Sequence, residues 1–423
     1  MKAINTNRLL AAFFATCIMA MFASCSSEDE PVKNDPIDDS DAPEMTTLQL
    51  STTESVLINT LSDMAFDMNS AIAKSGSGNG VKPENYAFSP LCLESTLSLL
   101  ANSLDEPQRN KLVKLLGCDD LEKLNSLNAK LYKYLCDKGN GVQLSLANSV
   151  WYDDAFMLSK DYIADMGAMY GLETYRRDFS STAQTVNDIN SWAAQKTDNM
   201  IKDVIDPTAL SKSGIFMFNA VCFFGRWDEK FDIGKTDRQK FNGIMRSDKV
   251  NTMHREDLIV HSAADSWQMV MLPFKTLSYE CLFILPPSTD ALLRFDASVF
   301  NSLSDNRRLK RVNLSLPSFE LESKVPVADV IADLGMPLTG LHFGATGLPA
   351  SVTYDLSNMG QSARIQVDEE GARLAAVTNY LEYATGGTTE YEKVKIDFNR
   401  PFIFIVRHQQ SGAILMMGQV CDI

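Results

Sequence analysis

The sequence predicts an α+β fold whose sheets are largely antiparallel. Residues 53–73 carry apolar side chains at helical spacing and predict a first amphipathic helix. Further helices are expected over 90–101, 107–117 (with Gly117 as the stop) and 183–197. Strand-like runs, concentrated in the second half, lie at 142–151, 214–224, 267–273, 279–285, 311–316, 362–368, 401–406 and 412–420. The absence of a regular βαβ alternation argues against a parallel α/β sheet.

Composition narrows the classes of function. The chain has 423 residues, 45% of them hydrophobic, which is enough for a large core. A net charge of −15 argues against a nucleic-acid partner, whose phosphates require a basic surface. The eight cysteines show no CxxC spacing, and His254 and His261 fit no zinc pattern. We therefore expect no metal and no cofactor, and no catalytic motif of a hydrolase is present.

The first 24 residues resemble an export signal. Lys2 and Arg8 precede an apolar run over 9–24, which is shorter than a helix needs to span a bilayer. The small residues before Cys25 resemble the cleavage site of bacterial lipoproteins, in which this cysteine is acylated and becomes the new N-terminus. The expectation is a signal peptide over 1–24 and a lipid on Cys25. The alternative is an ordinary signal peptide that is cleaved nearby and leaves Cys25 free.

Residues 25–50 are expected to form a flexible acidic linker. The stretch 26–44 holds eight acidic residues, one lysine and three prolines, and cannot bury enough surface to fold. The serine and acidic residues directly after Cys25 resemble the surface-export signal of Bacteroidetes lipoproteins. An outer-membrane lipoprotein exposed at the cell surface is therefore expected, with a periplasm-facing position as the alternative. Residues 51–423 then form one folded domain.

A long segment near the C-terminus stands apart from the predicted elements. It lies between the strands at 362–368 and 401–406 and has weak periodicity, and loops of that length are usually functional. It begins with Asp368-Glu369-Glu370-Gly371 and continues with mostly small residues to Thr378. Because such residues can also pair as a strand, the segment is typical of a switching element.

Five segments, in chain order, resemble motifs of the serpin family. They are NYAFSP at 85–90, INSW at 189–192, NAVCFFGRW at 219–227, DEEG at 368–371 and FNRPFIF at 398–404. The resemblance spans the folded part of the chain. It implies a monomeric serpin fold, with helices packed around three mostly antiparallel β-sheets and an exposed reactive-centre loop.

The resemblance also implies a mechanism. The loop is presented to a protease, whose nucleophile attacks it and forms an acyl-enzyme. The cleaved loop then inserts as a new strand of the main sheet, and the displaced protease loses the geometry that deacylation needs. The expected function is a suicide-type inhibitor of serine endopeptidases, with cysteine endopeptidases as further candidate targets, and the protein is not expected to be an enzyme itself. The alternative is a non-inhibitory serpin, cleaved as a substrate or acting as a binding module.

The hinge of this loop is assigned by the same resemblance. Its residues are Glu369, Glu370, Gly371, Ala372, Leu374, Ala375, Ala376 and Thr378. Strand alternation puts Ala372, Leu374 and Ala376 on one face after insertion and Arg373 on the other, and the resemblance implies that the first face is the inward one. Leu374 is larger than the family usually has there, and overpacking costs about 1–3 kcal/mol. It therefore favours slower insertion and the substrate-type alternative.

The scissile bond is less closely defined. Counting from the hinge, as in the family, places it between Thr385 and Gly386, with Tyr383 and Ala384 as close alternatives. Counting from the other end of the loop places it near Glu390. No Lys or Arg occurs over 375–391, and a trypsin-like pocket needs a cation. The expected partner is an elastase-like or chymotrypsin-like protease.

A second group of residues is assigned to the region where the main sheet opens. It comprises Ser89, Cys92, Asn219, Trp227 and Gln361. Gln361 stands where the family usually has a histidine, so it can donate and accept but lacks the histidine's titration. Cys92 replaces a family serine, and Trp227 is expected where the loop first inserts. Simple core packing is the alternative for these positions.

Overall fold

The structure is a computed structural model that describes residues 48–75, 83–136, 143–205, 207–210, 214–276, 278–348, 356, 359–372 and 390–423. These residues belong to one compact unit over 43–423. The predicted signal peptide and the linker residues before 48, with Cys25, lie outside the described residues. So do the loop positions Arg373, Leu374, Ala375, Ala376, Thr378, Tyr383, Ala384, Thr385 and Gly386.

Helices form most of the first half of the described chain. They are α1 (Thr52–Ser75), α2 (Pro90–Ser103), α3 (Glu106–Leu115), α4 (Leu121–Leu135), α5 (Lys160–Tyr170), α6 (Thr182–Lys196), α7 (Pro207–Leu210), α8 (Ala297–Asp305) and α9 (Val327–Asp333). The start of α2 is locally encoded, because Ser89 accepts a hydrogen bond from the Cys92 N–H and Pro90 occupies the first turn. Gly117, after α3, has a φ of 68°, as expected for a helix stop.

The strands follow two long-range pairing networks. They are β1 (Tyr86–Phe88), β2 (Gln143–Asp153), β3 (Leu172–Arg177), β4 (Ile215–Arg226), β5 (Asp237–Asn242), β6 (Ser247–Ala264), β7 (Trp267–Pro273), β8 (Tyr279–Leu285), β9 (Arg308–Pro317), β10 (Phe319–Val325), β11 (Gln361–Val367), β12 (Gly371–Ala372), β13 (Lys393–Asp397), β14 (Phe402–His408) and β15 (Ile414–Val420). All the predicted strands are confirmed; β7 and β8 have the predicted ends, and the ends of the others are shifted by up to three residues.

The described strands form a six-stranded and a nine-stranded sheet. The six-stranded sheet has the order β10-β11-β4-β2-β3, and β12 pairs with β4. The nine-stranded sheet has the order β1-β15-β14-β8-β7-β6-β9-β13, and β5 pairs with β6. The α+β class is confirmed. Two of the three expected sheets are continuous here, because the 18-residue strand β6 pairs with β5 and β9 and also reaches β7.

The long segment predicted between the strands at 362–368 and 401–406 is shorter than expected. Part of the long segment before residue 401 is a strand, since β13 pairs in parallel with β9 from Lys393↔Arg311 to Asp397↔Ser315. Glu390, the alternative cleavage position, is exposed and lies shortly before this strand. Further elements were not predicted from the sequence: helices α4, α5, α7, α8 and α9 and strands β1, β3, β5, β6 and β10. No helix among the described residues is long and apolar enough to cross a membrane.

The core is divided by the six-stranded sheet. A large apolar cluster joins the inner face of this sheet to the nine-stranded sheet and to helices α1 and α2. A smaller cluster lies on the outer face, where Ile189 and Trp192 of α6 pack on Ala147 and Trp151 of β2 and on Ala220 of β4. Helix α6 therefore covers one face of the sheet that the resemblance implies will take up the loop.

Gly418 of β15 gives a test of the packing. A Cβ there would lie 2.1 Å from the Tyr86 carbonyl oxygen and 2.9 Å from Ala87 Cα in the neighbouring strand β1. We expect Gly418→Ala to lower the free energy of unfolding by about 1–3 kcal/mol, measured by urea unfolding. The control is Gly167→Ala in α5, whose Cβ would have an ordinary 3.7 Å contact and should stabilise by about 0.5–1 kcal/mol. Equal midpoints for both variants and the wild type would contradict this packing.

Candidate functional site

The candidate site is a slit between the parallel strands β4 and β11. Among the described residues, their ladder has a single residue pair, Ser362↔Ala220. The opposite edge of β4 is paired with β2 over ten residues, from Gln143↔Phe224 to Tyr152↔Ile215. The two strands are thus well held on their far edges and thinly joined to each other. The β4–β11 junction therefore has the fewest described residue pairs of any strand junction in this sheet.

The hinge forms a tight turn at one end of the slit. The Asp368 N–H donates to the Gly371 carbonyl at 3.0 Å, and the Gly371 N–H donates back at 3.2 Å. The Asp368 carboxylate also accepts from the Glu370 N–H at 3.0 Å. Gly371 has a φ of 142°, a region that favours glycine. The chain then reverses, so that Gly371 and Ala372 pair antiparallel with Arg226 and Gly225 of β4.

Trp227 holds this turn against the end of β4. Its indole N–H donates to the Asp368 carbonyl at 3.0 Å, and its backbone N–H donates to the Glu370 carbonyl at 3.2 Å. The side chain is 1% exposed and stacks on Phe274 with 5.1 Å between ring centroids. The Phe231 N–H adds a bond to the Glu369 carbonyl at 3.0 Å. Trp227 therefore lies at the entrance of the slit.

The carboxylates of Glu369 and Glu370 in the hinge both contact residues of the segment 230–236, which follows β4. The Thr236 hydroxyl donates to the Glu369 carboxylate at 2.6 Å, and the Lys230 ammonium lies 2.6 Å from the Glu370 carboxylate. Because the Lys230–Glu370 pair is about half exposed, it contributes at most about 1 kcal/mol. The position of the hinge therefore depends mainly on the backbone hydrogen bonds to Trp227 and Phe231.

Gln361 anchors the β11 wall of the slit on the core side of the sheet. Its side-chain oxygen accepts from the Ser89 N–H at 2.6 Å, and its amide nitrogen donates to the Ser89 carbonyl at 3.1 Å. The Ser89 hydroxyl donates to the Leu415 carbonyl at 2.5 Å and caps α2 through the Cys92 N–H. Ser89 and Gln361 are both buried. The first residue of β11 is thus fixed to the start of α2 and to β15.

Asn219 anchors the β4 wall in a different direction. Its side-chain amide donates to the Asn148 side-chain oxygen on β2 at 2.8 Å, and Asn148 donates to the Tyr170 carbonyl at 2.9 Å. Asn148 was not among the predicted site residues; its signal is an amide within the strand-like run Leu146–Trp151. Burial raises the pKa of Cys92 to about 12, although hydrogen bonds with Ser89 and Asn219 offset part of the rise. This thiol is therefore neutral and unreactive.

The two histidines that flank Glu256 and Asp257 have separate partners. The His254 Nε2 lies 2.9 Å from the Asp237 carboxylate, whereas His261 is buried and lies 3.4 Å from the Gln268 side-chain oxygen. Within the described part of the chain, no group of three or more His, Cys, Asp and Glu side chains could hold a metal ion.

Comparison with known proteins identifies the family of this chain. The model of the family described as "Serpin (serine protease inhibitor)" matches residues 59–423. The chain belongs to the serpin family. Serpin-ZX of Arabidopsis thaliana is 25% identical to this serpin over 364 residues, which cover 80% of this chain and 92% of that protein.

Solved serpin structures are similar in fold. Arabidopsis AtSerpin1, in its native stressed conformation, has a TM-score of 0.77 at 22% identity and covers 88% of this chain and 99% of its own. Human thyroxine-binding globulin, complexed with thyroxine, has a TM-score of 0.75 at 17% identity and covers 86% and 99% respectively. At these identities the likeness establishes the fold alone.

The anchor at Gln361 gives a second test. Gln361→Leu leaves the buried Ser89 N–H without its acceptor, and we expect the free energy of unfolding to fall by about 1–3 kcal/mol. The matched control is Gln366→Leu on the same strand, where the side chain is exposed and the change should stay within about 0.5 kcal/mol. Urea unfolding followed by tryptophan fluorescence measures both. Similar losses in the two variants would show that Gln361 is not an anchor.

Proposed function

We propose that this serpin is a suicide-type inhibitor of serine endopeptidases, and of some cysteine endopeptidases, which traps the acyl-enzyme by inserting its cleaved loop between β4 and β11. The observation that carries the proposal is β12. Gly371 and Ala372 already pair antiparallel with the end of β4 at the mouth of the slit. They correspond to the first residues of the strand that insertion would complete.

The geometry of the slit supports this direction of insertion. A strand continuing from β12 would run antiparallel to both β4 and β11, which are parallel to each other. It would replace a single residue pair by two antiparallel ladders, and strand addition of this kind is driven by main-chain hydrogen bonds. Insertion is therefore downhill once the loop has been released at its far end by cleavage.

The anchors beneath the slit are compatible with its opening. A new strand separates the walls by about 4.8 Å, one strand spacing. Gln361 connects β11 to α2, whereas Asn219 connects β4 to β2. Asn219 also contacts the Cys92 thiol, so both walls have a partner on α2. Neither the Gln361–Ser89 nor the Asn219–Asn148 hydrogen bond joins one wall directly to the other, so both can be kept when the walls separate.

The proposed targets are proteases with small or apolar primary specificity, elastase-like or chymotrypsin-like. The support is the sequence 375–391, which offers no Lys or Arg to the acidic pocket of a trypsin-like enzyme. The proposed bond remains Thr385–Gly386.

The second candidate is a non-inhibitory serpin. Leu374 favours it, because a bulky inward residue slows insertion and lets hydrolysis finish. The fold is also compatible with a binding role, since human thyroxine-binding globulin shares it. A trapped protease separates the two candidates.

The decisive experiment compares wild type with Ala376→Arg against elastase, chymotrypsin and trypsin. We expect wild type to form a complex that survives boiling in SDS with elastase or chymotrypsin, and none with trypsin. Ala376→Arg should be cut at the same bond without trapping, because alternation would place an unpaired charge inside the sheet at a cost of several kcal/mol. Cleaved wild type should also melt at a higher temperature, since the added strand completes the sheet.

Mass spectrometry of the released C-terminal peptide identifies the bond. Cleavage of wild type without a trapped enzyme and without a gain in melting temperature would overturn the inhibitory proposal. Trapping of trypsin through a bond within 375–391 would overturn the specificity alone.

We further propose that the protein is an outer-membrane lipoprotein whose serpin domain faces the cell exterior, with the periplasm as the alternative. The acyl chains on Cys25 would supply the anchor, at about 0.8 kcal/mol per buried methylene. The acidic stretch 26–44 would separate the anchor from the domain. The domain would act as a monomer.

Cys25→Ala tests the anchor. We expect the variant to leave the membrane fraction while its inhibition of the target protease stays unchanged, because the linker uncouples the lipid from the fold. Detergent partitioning of both proteins measures the first effect. Cleavage of the serpin domain by a protease added to intact cells reports whether the domain faces the exterior or the periplasm. Continued partitioning of Cys25→Ala into detergent would show that the lipoprotein assignment is wrong.

A further inference from the structure

A segment that we call the strap, residues 198–205, follows α6 on the outer face of the six-stranded sheet. Its C-terminal end is fixed to α6 by one side chain. The Asn190 side-chain oxygen accepts from the Val204 N–H at 2.9 Å and the Ile205 N–H at 3.2 Å, and its amide donates to the Ile205 carbonyl at 3.1 Å. Since α6 packs on β2 and β4, this end of the strap belongs to the β4 side of the slit.

The middle of the strap is fixed to the other side. The Arg364 guanidinium on β11 donates to the Met200 carbonyl at 2.8 Å. The Lys324 ammonium on β10 donates to the Asp203 carbonyl at 2.5 Å. Arg364 also pairs with Glu320 on β10. The strap therefore crosses the slit and is bonded to both of its walls.

When the slit opens, the strap cannot keep its hydrogen bonds to Asn190 on one side and to Arg364 on the other. If one strand enters, β11 and β10 move away from β4 and α6 by about 4.8 Å. A 2.8 Å hydrogen bond from Arg364 to Met200 does not survive that displacement while Asn190 keeps Val204 and Ile205. Asn190 makes three hydrogen bonds to the strap, whereas Arg364 makes one and has Glu320 as a second partner on its own wall. The Arg364 and Lys324 bonds, one each, are therefore the ones that give way, and the Arg364 bond is the one made by β11, the wall of the slit itself.

We propose that Arg364 is a positioning residue that latches the strap across the slit, and that release of the Arg364–Met200 bond limits the rate of loop insertion. This inference rests on the proposed inhibitory function. Glu320 receives the freed guanidinium, so the open state keeps its ion pair. The latch makes insertion slow in the uncleaved protein and sets how many protease encounters end in hydrolysis instead of a trap.

The test compares Arg364→Met with the matched control Glu320→Gln. Met keeps much of the apolar length of Arg without the donor, whereas Gln at 320 removes the ion pair and leaves the bond to Met200. We expect Arg364→Met to raise the rate of insertion by about tenfold, equivalent to ~1.4 kcal/mol of activation free energy, and to lower the number of inhibitor molecules consumed per protease trapped. Glu320→Gln should show neither effect. Stopped-flow fluorescence and titration of residual protease measure the two quantities.

Hydrogen exchange separates this inference from the proposed function. In the uncleaved protein, Arg364→Met should increase exchange at the strap amides, with no increase in Glu320→Gln. If wild type traps protease and Arg364→Met leaves rate, stoichiometry and strap exchange unchanged, the latch is overturned while inhibition stands. If wild type traps no protease, the proposed inhibitory function is wrong, and the latch is judged separately. It is then supported if hydrogen exchange at the strap amides rises after the loop is cleaved, and refuted if that exchange does not change.

Discussion

The arrangement around the slit depends on one constraint: the backbone N–H and C=O groups of the parallel strands β4 and β11 need hydrogen-bond partners. β4 and β11 are each paired on the far edge but share a single described residue pair between them. A strand added between them would form main-chain hydrogen bonds with both, which is the stabilisation that the proposed insertion would gain. The contacts that surround the slit decide how it could open.

Three sets of contacts surround the slit, and each acts on a different part of it. Trp227 holds the hinge at the mouth, where the chain has already turned back along β4. On the core side, Gln361 bonds the β11 wall to the start of α2, and Asn219 bonds the β4 wall to β2 and contacts Cys92 of α2. On the outer face, Arg364 connects the β11 wall to a strap that Asn190 holds to α6. The strap is the set that has direct side-chain hydrogen bonds to both sides of the slit.

Local sequence patterns identified the elements that are buried on both faces. The runs at 267–273 and 279–285 coincide with β7 and β8, because continuous apolar strands have a strong local signal. β13 escaped prediction because its charged alternation, Lys-Val-Lys-Ile-Asp, becomes a strand only through pairing with β9, about eighty residues earlier. The family resemblance identified Ser89, Asn219 and Gln361, but not Asn148 or Arg364. Their roles depend on partners in β4 and in the strap, which no local pattern reveals.

The chemistry of the slit also indicates what its opening responds to. Ser89, Asn148, Asn219 and Gln361 carry hydroxyl and amide groups that do not titrate near neutral pH, and the pKa of Cys92 is raised to about 12. With glutamine at position 361, the side-chain hydrogen bonds that hold the two walls, Gln361–Ser89 and Asn219–Asn148, involve no titrating group. Charged side chains take part instead in the surface contacts, with Arg364, Glu320 and Lys324 on the outer face and the Lys230–Glu370 pair at the hinge. Interactions between exposed charges are screened by salt. We therefore expect the proposed opening to depend on ionic strength through these surface contacts more than on protonation of the groups that bond the walls.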